Sequence, residues 1–113
     1  MNTLDKSIEL NNLYDLYQDL LTDKQKSYFE SYYFDNYTLQ EISENNGVSR
    51  NAVHDLLKRT VKKINDLEEA LHLKEQNTNR QIIISKIKKR NNDEVIANLI
   101  NELEKVEWFY GVW

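Results

Sequence analysis

The chain has 113 residues, of which 40% are apolar and 30% charged, which suits one domain or one domain with an appended arm. The absence of cysteine excludes disulfides, thiolate metal sites and cysteine nucleophiles. No apolar run approaches the roughly 20 residues of a membrane span, and the start MNTLDKSIEL lacks the features of a signal peptide. We therefore expect a cytoplasmic protein with no membrane span.

Charge is distributed unevenly along the chain. The formal net charge of −4 argues against broad, nonspecific binding to nucleic acid. Residues 49–63, however, hold five basic residues against one acid, and residues 77–92 hold five basic residues and no acid. Phosphate contact is the favoured interpretation of the first segment, because its charges follow the start of the second helix in the helix-turn-helix pattern of residues 38–63. For the second segment, a solvated helix face is an equally good interpretation.

Two helices are predicted before the centre of the chain. Residues 3–20 form an amphipathic helix whose inward positions are Leu4, Ile8, Leu13, Leu16, Tyr17 and Leu20. Thr22 and Gln25 have the spacing of a capping box, which starts a second helix over 23–34. Its many aromatic residues favour a core over a stacking platform for single-stranded bases, since they recur at helical spacing.

Residues 38–63 have the pattern of a helix-turn-helix. Thr38 and Glu41 form a second capping box at the start of a short helix. That helix is predicted to end at Gly47, because a tight turn after a helix commonly needs a positive φ. Val48 is the apolar turn residue and is expected to be buried between the two helices of the motif.

The second helix of the motif is predicted to begin after Ser49, whose side-chain oxygen accepts from backbone N–H groups of the first turn. Ala52 and Val53 are small enough to let the two helices approach closely. In this motif the second helix lies in the DNA major groove, and its first residues reach base edges. The predicted DNA-binding residues are Ser49, Arg50, Asn51, His54, Lys58, Arg59 and Lys62.

The chemistry of these side chains assigns them separate roles. Ser49 is expected to fix the start of the helix and is able to contact a phosphate. Arg50, Asn51 and His54 are expected to face base edges, where arginine prefers guanine and asparagine prefers adenine. The three basic residues that follow are expected to position the helix on the phosphate backbone.

An apolar stripe continues from Val53 to about Leu73 without glycine or proline, so the second motif helix is predicted to span about 24 residues, or about 36 Å. Its C-terminal half is expected to pack on the terminal helices or on a second copy of the protein. The polar residues 77–79 are interpreted as a break. This gives a helical domain over 1–76 and a C-terminal helical arm over 77–113.

The arm is predicted to contain two helices. Residues 80–90 hold four isoleucines, which also suit a strand, but the chain offers no partner strand and a short helix is favoured. Residues 93–107 form the last amphipathic helix, with Val95, Ile96, Leu99, Ile100, Leu103 and Val106 inward. For the aromatic end WFYGVW, packing on the core, contact with a neighbour and disorder all remain open.

The sequence contains no recognisable catalytic constellation. His54 and His72 are the two histidines, and they lie about five helical turns apart, so they cannot share a metal ion. There is no glycine-rich phosphate loop. We therefore expect a protein that is not an enzyme and that carries no metal or cofactor.

Residues 21–73 closely resemble the YlxM family of small bacterial proteins, and the same stretch is similar to region four of sigma factors. The matching residues are Leu21-Thr22 with Gln25, Tyr32-Tyr33-Phe34, Thr38-Leu39 with Glu41-Ile42, Gly47-Val48-Ser49-Arg50 with Ala52-Val53, and Lys58-Arg59-Thr60. Asn51 and His54 stand where glutamine and tyrosine are expected, so no base preference is carried over. The fold expected is all-α, a sigma region four-like helix-turn-helix bundle with a long recognition helix and a C-terminal arm.

The resemblance also implies a biological context. Genes of the YlxM family typically lie beside those of the signal recognition particle and its receptor, which implies a regulator or accessory factor of that pathway. The leading hypothesis is a homodimeric helix-turn-helix protein that binds DNA. The alternative is an accessory factor that contacts the RNA or the GTPase of the signal recognition particle and does not bind DNA.

Overall fold

The computed structural model describes residues 8–112, and the surroundings of the side chains of residues 8–106. Every regular element in this range is helical, which confirms the predicted all-α fold. The α-helices are α1 (Ile8–Tyr17), α2 (Asp23–Tyr33), α3 (Leu39–Asn46), α4 (Arg50–Leu71), α5 (Leu73–Arg90) and α6 (Glu94–Val112). A turn of 3-10 helix, Gln18–Leu20, follows α1. The predicted helix start at residue 3, with Leu4, lies outside the described residues, as do the side chains of the aromatic end.

Backbone contacts divide the chain into two compact units, Met1–Ala70 and Leu71–Trp113, here called the N-terminal unit and the C-terminal unit. The predicted break at residues 77–79 is wrong, because these residues lie inside α5. Asparagine and threonine cost a helix only a fraction of a kcal/mol each, and neighbouring turns absorb that cost. The chain turns instead at His72, whose φ of 57° and ψ of 30° are left-handed and separate α4 from α5. None of the helices in the described range is both long and apolar enough to cross a membrane.

A cluster of aromatic rings lies at the centre of the N-terminal unit. Tyr14 of α1 stacks on Phe29 of α2 with ring centroids 4.2 Å apart and planes 2° from parallel. Phe29 in turn stacks on Tyr33 at 4.3 Å, and Phe34 meets Tyr14 edge-on at 5.6 Å. The burial of Phe29 and Tyr33 confirms that these rings are core. Buried rings cannot serve as a platform for nucleic-acid bases.

The buried face of α1 differs from the predicted one. Ile8 is 82% exposed and Leu20 is 52% exposed, although both were expected to point inward. Leu20 belongs to the 3-10 turn, whose tighter winding takes it out of the α-helical register. The residues that are buried follow the three- and four-residue steps of a single helical face: Leu10, Leu13, Tyr14 and Tyr17.

Helix α1 also holds the C-terminal half of α4. The Tyr17 hydroxyl donates a 2.6 Å hydrogen bond to the Glu68 carboxylate, which joins two helices that are distant in sequence. Ile64, one turn earlier in α4, is fully buried. Helix α1 of the same chain therefore covers part of the C-terminal half of α4. A second hydrogen bond of the same kind is formed by Tyr14, whose hydroxyl donates to the Glu30 carboxylate at 2.8 Å. Burial, and then this bond, raise the pKa of Tyr14, so the phenol stays protonated.

Both predicted capping boxes are present. At the start of α2, the Thr22 hydroxyl accepts from the Gln25 N–H at 3.1 Å, and the Gln25 side chain accepts from the Thr22 N–H at 2.9 Å. At the start of α3, the Thr38 hydroxyl accepts from the Glu41 N–H at 3.0 Å, and the Glu41 carboxylate accepts from the Thr38 N–H at 3.1 Å. Each box satisfies two backbone donors that a helix start leaves without partners.

The turn between α3 and α4 has the predicted geometry. Gly47 is left-handed at φ 65° and ψ 32°, and the Val48 N–H donates to the Ser43 carbonyl at 3.1 Å, a bond typical of glycine-ended helices. The Ser49 hydroxyl oxygen then accepts from the Ala52 N–H at 3.0 Å and caps α4. These local bonds fix where α4 begins.

Two details of the motif differ from expectation. Val48 is half-buried rather than buried, and Ala52 is exposed, so Ala52 does not carry the contact between the two helices. The small buried residues on the two helices are Ser43 and Val53. The Ser43 hydroxyl is satisfied within its own helix, because it donates to the Gln40 carbonyl at 2.8 Å.

Two helices of the C-terminal unit, α5 and α6, pack on each other, but they bury little apolar surface. Ile100 is buried as predicted, whereas the other residues expected to point inward from α6 are exposed: Val95, Ile96, Leu99, Leu103 and Val106. A single neighbouring helix covers only a narrow line of residues, while the apolar stripe of α6 is wider than that line.

Replacing Gly47 by alanine is expected to destabilise the N-terminal unit through the backbone alone. An added Cβ would meet no atom within 4 Å, but a left-handed alanine costs about 1–2 kcal/mol. Urea unfolding followed by circular dichroism measures this loss. Gly47→Asn is the matched variant and should lose less, because asparagine tolerates this conformation; equal losses would show that left-handed strain is not the cause.

Removing the hydroxyl of Tyr17 is expected to loosen α1 from α4. Tyr17→Phe should lower the free energy of unfolding by about 1–2 kcal/mol, because it deletes a bond to a carboxylate in a partly buried place. Tyr37→Phe is the control, since that ring is 41% exposed and its change should stay within about 0.5 kcal/mol. Similar effects of both variants would contradict a specific role for the Tyr17 bond.

Candidate nucleic-acid interface

Helix α4 has one face fixed in the core and one face exposed. Val53 and Leu57 are fully buried on the inner face. With 3.6 residues per turn, Asn51, Lys58 and Lys62 fall close to a single line on the opposite face, and all three are exposed. The structure therefore brings these predicted DNA-binding residues together on one outward surface.

The first turn of α4 presents the residues predicted to read bases. Arg50 and Asn51 are exposed, and the side chain of His54 is 40% exposed. Arg50 and His54 lie one turn apart on the flank beside Asn51. The Ser49 oxygen already accepts from the Ala52 N–H, but its hydroxyl hydrogen can still donate to a ligand such as a phosphate.

Two cations on or near this surface are free to meet a ligand. Within residues 8–106, neither Arg50 nor Lys58 forms an ion pair with another described residue. Arg59 lies on the neighbouring flank, where its Nε donates to the Asp55 carbonyl at 3.4 Å. The guanidinium of Arg59 is thereby held along the helix, with its remaining N–H groups available.

Lys62 differs from the other cations because it already has a partner. Its Nζ donates to the Asp66 carboxylate at 2.7 Å, one turn further along α4. This hydrogen bond, with the attraction of the Asp66 charge, raises the pKa of Lys62. The ammonium stays protonated, but a phosphate must compete with Asp66 for it. The sum of charges over the segment does not reveal this ion pair, but the four-residue spacing of Lys62 and Asp66 in the sequence does indicate it.

Acidic groups are exposed on both helices of the motif. Asp55 lies on the outer face of α4, with its carboxylate 4.0 Å from His54 Nδ1. On α3, Glu41 and Glu44 are exposed, and Gln40 donates to Glu44 at 2.9 Å. In helix-turn-helix complexes the first helix crosses the nucleic-acid backbone. Carboxylates on this first helix repel phosphates and so weaken binding to any nucleic acid. A larger share of the affinity then depends on a few oriented side chains.

No group of three or more histidine, cysteine, aspartate or glutamate residues in the described range is placed to hold a metal ion. His72 lies at the junction of α4 and α5, where its Nδ1 is 3.1 Å from Glu75. It is therefore engaged in a local pair at the far end of α4 from His54.

Comparison with known proteins agrees with this geometry. A family model described as "Putative helix-turn-helix protein, YlxM / p13 like" (UPF0122) matches residues 4–105. A UPF0122 protein of Anoxybacillus flavithermus is 42% identical over 109 residues, covering 92% of this chain and 99% of the relative. The UPF0122 protein YlxM of Bacillus subtilis is 41% identical over 109 residues, covering 93% and 99%. A UPF0122 protein of Mycoplasma capricolum is 39% identical over 108 residues, covering 96% and 94%. The chain therefore belongs to the UPF0122 family of YlxM/p13-like helix-turn-helix proteins.

Proposed function

We propose that this protein is a cytoplasmic regulatory protein that binds duplex DNA through the exposed face of α4. The observation that carries the proposal is the exposed first turn of α4, which is capped by Ser49 and carries Arg50 and Asn51 on its surface. This is the part of a helix-turn-helix that enters the major groove. The protein acts by binding, without catalysis and without a cofactor.

Within this proposal, each side chain has a chemical task. The guanidinium of Arg50 can bond two acceptors of one guanine, and the amide of Asn51 can pair with adenine. His54 lies one turn on and contacts the neighbouring base edge. The Ser49 hydroxyl and the cations Lys58, Arg59 and Lys62 hold the helix on the phosphate backbone.

The charge pattern sets the expected strength of this binding. Each phosphate neutralised contributes a slope of roughly 0.9 to the salt dependence of affinity. Lys58 is unpaired among the described residues, whereas Lys62 is shared with Asp66. We therefore expect a shallow salt dependence, with sequence preference carried by Arg50 and Asn51.

We propose that the DNA-binding form is a homodimer. Helix-turn-helix proteins commonly bind two half-sites about one turn of DNA apart, and a two-fold axis in the protein matches the symmetry of such a site. One copy of α4 alone presents few phosphate contacts, so two copies on one duplex would raise the affinity.

A second candidate function is an accessory factor that contacts the RNA or the GTPase of the signal recognition particle. The observation that favours it is the acidic surface of α3, where Glu41 and Glu44 are exposed on the helix expected to cross a DNA backbone. Together with the pairing of Lys62 by Asp66, this surface suits a partner that offers basic as well as acidic groups.

Fluorescence anisotropy distinguishes the two functions. The ligands are duplex DNA from the protein's own operon, random duplex of the same length, and the signal recognition particle RNA with and without its GTPase. Tighter binding to the operon duplex than to random duplex supports the DNA-binding proposal. Binding to the particle alone, with no loss in Arg50→Ala, supports the accessory role and contradicts DNA reading.

The variants Arg50→Ala and Lys58→Ala are expected to separate base reading from phosphate contact. Arg50→Ala should cost about 1–3 kcal/mol on the preferred duplex and little on random duplex. Lys58→Ala should weaken binding to both duplexes similarly and lower the salt slope by about 1. Both residues are exposed, so unchanged circular dichroism serves as the folding control. Uniform losses for both variants would contradict this division.

Releasing Lys62 from its partner is expected to strengthen DNA binding. Asp66→Asn removes the competing carboxylate, so affinity for any duplex should rise at low salt, and the salt slope should increase by about 1. Asp23→Asn is the matched control, because it removes one carboxylate from the Lys26 pair in α2 and changes the net charge equally. An equal gain in the control would assign the effect to net charge instead of to Lys62.

A further inference from the structure

The C-terminal unit has an exposed apolar face. Six aliphatic side chains define it, and each is 42–62% exposed: Ile83, Ile87, Ile96, Leu99, Leu103 and Val106. In the same unit Ile84 and Ile100 are 4% and 6% exposed, and α5 packs on α6. The two helices therefore cover one line of apolar residues and leave a second line in contact with solvent.

The residues of this apolar face lie on one side of the pair of helices. Along α6, Ile96, Leu99, Leu103 and Val106 follow steps of three, four and three residues, which is the spacing of a helix-packing seam. On α5, Ile83 and Ile87 are one turn apart. Side chains from both helices line one open groove of about 400 Å³, formed by Ile83, Ile87 and Ile96 together with Lys86, Arg90 and Asn91.

An ion pair links the two helices of the unit, and charged side chains lie along both sides of the apolar face, where Lys86 and Arg90 also line its groove. One turn beyond Ile84 and Ile100, the Lys88 ammonium meets the Glu104 carboxylate at 2.5 Å and ties α5 to α6. Lys86 and Arg90 give the apolar face a basic edge along α5, and Glu102 gives it an acidic edge along α6.

We infer that the apolar face binds the same face of a second copy of this chain, so that two α5–α6 pairs form a four-helix bundle. A two-fold axis parallel to the helices places α5 of one copy against α6 of the other. The basic edge, Lys86 with Arg90, then meets the acidic Glu102 edge of the partner copy, and the two-fold symmetry makes this contact occur twice. A surface with one basic and one acidic edge is complementary to itself, which favours a second copy over a partner of one charge.

The size of the face fits this partner. Six half-exposed aliphatic side chains present on the order of 300 Å² of apolar surface. This area follows from the free energy of burying an aliphatic side chain divided by the free energy gained per Å² of buried apolar surface. Patches of about 300–600 Å² on a monomer are often functional. A standard interface contributes about 800 Å² per partner, with an apolar centre and a polar rim. The face supplies such a centre, and the charged edges supply the rim.

Sedimentation equilibrium of the full-length chain, without DNA, tests this inference independently of the proposed DNA binding. At about 100 µM, above the Kd expected for a standard-size interface, the wild-type chain should have twice the 13.5 kDa mass of one copy. Leu99→Glu with Leu103→Glu should be monomeric, because a carboxylate in the apolar centre is costly to bury. Ser85→Glu with Asn101→Glu is the matched control: it adds two charges at exposed positions off the face and should remain dimeric.

The charged edges provide a second, reversible test. Lys86→Glu with Arg90→Glu should weaken the dimer several-fold, and adding Glu102→Lys should restore part of that loss. Circular dichroism confirms that each variant stays helical. A monomeric wild type overturns the inference, as does a dimer that survives the two leucine substitutions. Loss of the dimer in the leucine variant without rescue by Glu102→Lys overturns the pairing of α5 with α6.

Discussion

The buried stripe of α4 is the constraint on which the N-terminal unit depends. Val53, Leu57, Thr60 and Ile64 have no accessible surface, and together they set the rotation of the helix about its own axis. Because the helical repeat is 3.6 residues, that rotation decides which residues face outward. Thr60 fits this apolar stripe because its hydroxyl donates to the Leu56 carbonyl of the same helix at 2.7 Å. The stripe therefore needs no polar partner from elsewhere.

Local rules made the helix-turn-helix predictable from the sequence. Capping boxes, the glycine turn and the serine cap each depend on residues three or four positions apart, so the pattern contains most of the information. Long-range packing was less accessible. The buried face of α1 is set by Tyr14 stacking on Phe29, and nothing in the spacing of its leucines reveals that partner.

The C-terminal half shows the same limit in another form. Periodicity identified α6 as amphipathic, but a period indicates which side is apolar and not what covers it. The Asn-Thr-Asn stretch resembled a break, yet α5 runs through it. The ion pair of Lys62 with Asp66 was readable from its spacing, but a count of charges treats both residues as independent. Exposure of a cation and its freedom to bind are different properties.

A chain with a net negative charge repels a polyanion on average. If it binds one, the local arrangement of its charged side chains matters more for affinity than its net charge. Here a short stretch of α4 presents cations while nearby carboxylates limit their reach. Such a surface discriminates against ligands that offer only negative charge. In the proposed DNA complex, a duplex with matching shape and hydrogen-bonding groups would bind more tightly than random nucleic acid.

Helix α4 also has a mechanical consequence. It is a continuous rod of 22 residues, about 33 Å long at 1.5 Å per residue. The capped first turn is at one end of the rod, and the boundary with the C-terminal unit is at the other. A tilt of about 10° displaces one end of a rod of this length by about 6 Å relative to the other. The hydrogen bond between Tyr17 and Glu68 lies near the C-terminal end of α4. By restraining the tilt of the helix, this bond helps to fix the position of the first turn as well as to stabilise the fold.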